Sequence, residues 1–215
     1  NILRDVLWDN RDISPAHLAC FKGARVIPAA AWNRSTEWDN VLGYYDPQDR
    51  LLKIHSHLST DPVELRGNLL IALGESLLGR YIESRRWIAL EAGGPWGWRS
   101  YEIRLRPPRE RGCLLSPAQL HTYLRLARMV PDPGHAGIYR ITLNNTDGFI
   151  PPGLLFGLMY AWYLDNTCAP IMENEMSMLH WHEATLIPHQ VQEYRRKKAL
   201  IHFFRTEIFG YKNIK

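Results

Sequence analysis

The chain has 215 residues, 46% of them hydrophobic and 22% charged, with 15 Gly, 14 Pro and 3 Cys, a composition that excludes a disordered tail, collagen, a disulfide-stapled miniprotein and a coiled coil. Its 26 Lys and Arg stand against 22 Asp and Glu, a net charge of +4, too mild to make nucleic-acid binding the expected main business. At 25.0 kDa there is room for one core or two lobes and nothing larger.

Residues 1–12 carry Arg4, Asp5, Asp9, Arg11 and Asp12 and no apolar stretch, so no signal peptide is expected. Ser14-Pro15 marks a short helix start, and strands are expected at 25–27 and 50–57. Asp61-Pro62-Val63-Glu64 places an acceptor at the N-cap, Pro at the first helical position and Glu where it can reach back to the cap. Leu65, Leu69, Leu73, Leu77 and Tyr81 recur at helical spacing, which predicts a helix over 61–84. The Gly- and Trp-rich stretch from Gly93 to Trp98 reads as a loop and divides the chain into halves 1–92 and 93–215, packed as one unit. Tyr101, Ile103 and Leu105 alternate with Glu102, Arg104 and Arg106, predicting a half-buried strand over 100–106, and 138–143 reads the same way. Ser116-Pro117-Ala118-Gln119 repeats the capping pattern for a helix over 117–129. The window 148–164 is uncharged but shorter than the roughly 20 apolar residues of a spanning helix, so a buried core helix is expected and no transmembrane segment. The last helix, over 189–209, ends at Gly210. The outcome is an α+β fold with a small mixed or antiparallel sheet and several packed helices.

Cys20, Cys113 and Cys168 are far apart, odd in number and form no C-x-x-C, which argues against a disulfide framework and for a reducing, cytoplasmic setting.

The order Val41-Leu42-Gly43-Tyr44-Tyr45-Asp46-Pro47, then the strand at 51–57, then Pro62 and the helix through Leu69-Leu70-Ile71-Ala72-Leu73-Gly74-Glu75-Ser76-Leu77-Leu78, resembles the small zinc metalloproteases of the zincin type. In that family a similar turn leads to a strand bordering the substrate cleft, and the next helix carries H-E-x-x-H. The resemblance spans 41–84. Zinc there needs two imidazoles one helical turn apart, but Gly74 and Leu78 stand in their places and only Glu75 matches, at the general-base position. The resemblance therefore implies a zincin-like N-terminal half with a degenerate metal motif, no cofactor, and a pseudoenzyme that binds a macromolecular partner, another protein being the first expectation.

Glu75 is informative without the family. It lies in an apolar run, and an unpaired buried carboxylate is costly enough to demand a partner. Such groups gather at functional sites, although structural ion pairs, here with Arg80 or Arg85, make the same pattern.

An enzyme alternative rests on histidines. His55 and His57, two apart on a predicted strand, would share a face. His180 and His182 would do so if extended, and two such arms could hold zinc tetrahedrally while Glu75 or Glu183 activates water. If 180–182 is helical, the two imidazoles diverge by roughly 200°. His-Ser-His also occurs in JAMM-type metalloisopeptidases, but Ser59 and Asp61 come too early for that pattern. A third alternative is a nucleic-acid-binding module: Arg195, Arg196, Lys197 and Lys198 run along the last helix, and Arg104 and Arg106 cluster with Arg99, Arg109 and Arg111 beside Trp96, Trp98 and Tyr101, a pairing of cations with stacking surfaces. No P-loop, G-x-G-x-x-G or G-x-S-x-G is present.

Overall fold

The structure, a computed structural model, describes residues 2–7, 13–32, 42–90, 97–106, 114–144, 148–165 and 183–210. It is an α+β fold whose chain divides into two units, Asn1–Arg80 with Phe156–Leu186 and Tyr81–Leu155 with Ile187–Lys215. These units do not coincide with the halves 1–92 and 93–215.

In the first unit, helices α1 (Ile2–Leu7) and α2 (Pro15–Leu18) precede strand β1 (Gly23–Ile27), β2 (Gly43–Asp46), β3 (Leu51–His55) and the long helix α3 (Pro62–Gly79). β3 is central, parallel to β1 with Ile27 opposite His55 and antiparallel to β2 with Gly43 opposite Ile54. Alternation sends Leu52 and Ile54 into the core and leaves Leu51, Lys53 and His55 half-buried. The β2–β3 turn closes because Asp46 accepts the Gln48 N–H at 2.8 Å, Lys53 pairs with Asp46 and Asp49, and Arg50 takes φ 58°.

Helix α3 starts where the capping chemistry places it: Asp61 Oδ1 accepts the N–H groups of Val63 and Glu64 at 2.8 and 3.1 Å. It stops at Gly79, five residues short of the expected end, and the chain runs on as a strand from Ile82; the Tyr45 ring packs against Gly79, where a Cβ would lie 2.8 Å from it. From Gly67 to Leu78 every residue is buried, so helix propensity matters less than the packing around it. Helix α5 (Pro152–Leu164) is uncharged and buried from Pro152 to Ala161; the part from Phe156 onward belongs to this unit.

The second unit is built on a four-stranded antiparallel sheet in the order β4-β5-β7-β6, from β4 (Ile82–Ala89), β5 (Trp98–Leu105), β6 (Val130–Pro131) and β7 (Ile138–Asn144). β4 and β5 pair across the Gly-rich stretch, with a bulge between Ile82 and Ser84. One face carries Tyr101, which packs with Trp87 and Phe149 at centroid distances of 4.9 and 5.5 Å. Helices α4 (Pro117–Leu126) and α6 (Pro188–Phe203) complete the unit. α4 opens on a full capping box between Ser116 and Gln119. Tyr123, fully buried on α4, donates to the Pro152 carbonyl at 2.6 Å and packs on Phe203 and Phe204; burial pushes its phenol well up. α6 ends in a single π turn, Phe204–Ile208, before Gly210 at φ 69°. Among the described residues no helix is long and apolar enough to cross a membrane.

Candidate functional site

Strand β2 runs along α3, and it and the residue before it are joined to that helix at three points. Leu42 donates its N–H to Asn68 Oδ1 at 2.7 Å, Tyr45 donates its N–H to Glu75 Oε2 at 3.0 Å, and the Tyr45 ring lies against Gly79. Gly43 is needed in this contact, since a Cβ there would fall 2.5 Å from the Asn68 carbonyl oxygen. Glu75 is 3% exposed, and in this bond its carboxylate satisfies a main-chain donor of β2.

Positions 74 and 78 face the same packed interior. A Cβ on Gly74 would lie 2.6 Å from Tyr160 Cβ and 2.8 Å from Gly157 Cα, and a Cβ on Gly157 would lie 2.4 Å from the Ile71 carbonyl oxygen. The two glycines thus let α3 and α5 approach to backbone contact, and Leu78 is wholly buried. Zinc does not fit this group of residues: one expected ligand position has no room for a side chain, and the other is core leucine.

Close by, His17 is buried with its Nδ1 2.9 Å from the Tyr160 hydroxyl and the rings edge to face. Burial lowers the His17 pKa and raises that of Tyr160. Cys20 is a buried free cysteine whose sulfur accepts from Arg80 at 3.3 Å; burial raises its pKa against the pull of the Arg80 charge.

His55 and His57 do not lie on one strand face. β3 ends at His55, and His57 falls in the following 3-10 turn, where its N–H donates to His55 Nδ1 at 3.1 Å. His55 packs edge-on against Trp32 at 5.0 Å. His180 and His182 lie outside the described residues, and Glu183 opens a 3-10 turn. Among the described residues no three His, Cys, Asp or Glu side chains gather as a metal site requires.

The basic segments are separated by their periodicity. On α6, Arg195 and Lys198 are exposed. Arg196 caps the C-terminus of α4 through the Leu126 carbonyl and hydrogen bonds Glu193, while Lys197 is buried 4.0 Å from Glu193. Burial works to raise the Glu193 pKa, but the Arg196 hydrogen bonds and the charges of Arg196, Lys197 and Arg128 outweigh it and hold the carboxyl low. On the sheet, Arg104 is exposed and Arg106 donates from Nε to the Ile82 carbonyl at 3.1 Å. Trp98 is exposed on β5, whereas Tyr101 points into the core and Arg99 stacks over Trp87 at 4.2 Å. Arg109, Arg111 and Trp96 lie outside the described residues.

Two features escape a linear reading. Glu102, 3% exposed, lies in register between Arg86 and Arg140 and accepts from both, at 2.9 and 2.6 Å. Burial works to raise its pKa, and the two guanidinium groups reverse that to a net lowering. Arg140 also pairs with Asp132. The second feature is the division of charge. The second unit holds 17 of the 26 Lys and Arg and 8 of the 22 Asp and Glu, a net of +9, leaving 9 against 14, or −5, for the first. The signal was in the sequence, but only the grouping of distant segments reveals it, because the chain's total of +4 averages the two. No family model, curated protein or solved structure matches the chain.

Proposed function

We propose that the protein is a non-catalytic domain with a metalloprotease-like N-terminal layout, and that it works by binding a macromolecular partner in a reducing compartment such as the cytoplasm. The observation that carries this reading is the packing at Gly74: the helix position that would supply a zinc imidazole is in backbone contact with another helix. Glu75, the one residue matching the catalytic motif, is turned to a structural use as the acceptor for Tyr45. A general base must reach the proton that it abstracts, and this carboxylate is held inside the core. Metal analysis and a peptidase assay on the purified chain test the reading. Zinc well below one per chain and no cleavage of casein are expected. One zinc retained through dialysis, or cleavage that Glu75→Gln abolishes, would overturn it.

A further inference from the structure

The second unit carries a net charge of +9. Helices α4 and α6 pack on each other, and residues 117–128 and 188–208 together hold seven Lys and Arg against two Glu and no Asp. Both Glu are engaged within the unit, Glu193 by Arg196 and Glu207 by Gln119. On α6 the exposed side chains Arg195, Lys198 and His202 recur at i, i+3 and i+7, which places them on one face, at about 4.5 and 6 Å along the axis from 1.5 Å per residue. Arg205, exposed in the π turn, prolongs the series.

From this we infer that the α4–α6 surface binds the phosphate backbone of double-stranded nucleic acid without reading its sequence. The inference rests on the binding-domain reading above and names its partner. Arg195, Lys198 and Arg205, on a unit of net +9, meet a polymer that carries one negative charge per about 1.7 Å of duplex. Among the described residues of the two helices the aromatic rings that bases could stack on, Tyr123, Tyr194, Phe203 and Phe204, are all buried, and Phe209 after the π turn is half-buried, so the surface suits a duplex backbone better than single strands. A membrane surface fits poorly as well. A helix that lies on lipid inserts an apolar face, and the apolar face of α6 is spent on its own unit's core.

The test is fluorescence anisotropy of the full chain with two labelled duplexes of unrelated sequence, between 50 and 200 mM salt. Three phosphate contacts predict a log–log salt slope near −3 and roughly fortyfold weaker binding across that range, the same for both duplexes. The triple variant Arg195→Gln, Lys198→Gln, Arg205→Gln should bind at least tenfold more weakly at 50 mM salt with a flattened slope, and Lys22→Gln, an exposed cation of the other unit, should bind like the wild type. A slope shallower than −1, an unchanged triple variant, or an equal loss in Lys22→Gln would overturn the inference. So would tighter binding to the single strand, to phosphatidylserine vesicles or to polyglutamate. Should the triple variant fail to melt cooperatively, the salt slope and the competitors, measured on the unaltered chain, decide alone. Zinc content and peptidase activity are read separately, so absent duplex binding in a zinc-free, inactive protein overturns the nucleic-acid assignment and leaves the binding-domain reading standing.

Discussion

The backbone N–H of Tyr45 and the carboxylate of Glu75 are 3.0 Å apart and tie an edge strand to the middle of a buried helix. This bond sets a sharp expectation for substitutions at 75. Glu75→Gln keeps an oxygen that can accept and should change unfolding free energy by less than about 1 kcal/mol. Glu75→Ala strands a buried donor and opens a void, and should cost about 1–3 kcal/mol for the lost acceptor alone. Urea unfolding of the two variants beside the wild type makes the comparison; equal losses would show that the carboxylate's charge, not its acceptor oxygen, is what β2 needs.

Gly74 should tolerate nothing larger. Gly74→Ala places a methyl group 2.6 Å from Tyr160 Cβ and 2.8 Å from Gly157 Cα, and overpacking of this kind costs about 1–3 kcal/mol. Gly157→Ala should be worse, since the obstacle 2.4 Å away is the Ile71 carbonyl oxygen, which cannot rotate aside. Gly148→Ala, with nothing within 4 Å among the described residues, is the matched control and should lie within about 0.5 kcal/mol of the wild type. Thermal melts that rank the three otherwise would contradict the helix contact.

Acid should weaken the protein in two separate windows. His17 has its pKa lowered by burial from 6.5, so the unfolded chain takes up a proton first and stability falls as pH drops below that value. His17→Gln should flatten the pH dependence of the melting temperature there.

The second window belongs to Glu102. Its pKa is lowered overall from 4.5, so the stabilisation it contributes is complete above that value and is lost as pH falls through the depressed one. Glu102→Gln should remove that acid-labile portion and destabilise the sheet at pH 7 by leaving Arg86 and Arg140 without their shared anion. A variant with wild-type stability at pH 7 would show the network to be idle.

Local chemistry made some of this legible in advance and non-local contact made the rest illegible. Asp61 and Ser116 cap helices at the expected residues because capping depends on only four consecutive positions. The apolar i+4 series runs on through Tyr81, past the end of α3 at Gly79, because the spacing of letters carries no sign that the chain turns into β4 at Ile82. Beyond it β4 is not among the expected strands, and its strand character comes from pairing with β5. At the candidate site, the burial of Glu75 follows from its apolar neighbours, but its partner on β2 does not. The run from Arg195 to Lys198 looks like one patch in a line of letters; a helix rotates about 100° per residue, sending Arg196 and Lys197 toward Glu193 and Arg195 and Lys198 to solvent.

The chain passes from one unit to the other three times, after Arg80, after Leu155 and after Leu186, and the second passage falls within α5. Genetically, this means that neither unit is a cassette. A single recombination event cannot gain, lose or exchange one of them, and no junction at 155/156 avoids cutting a helix.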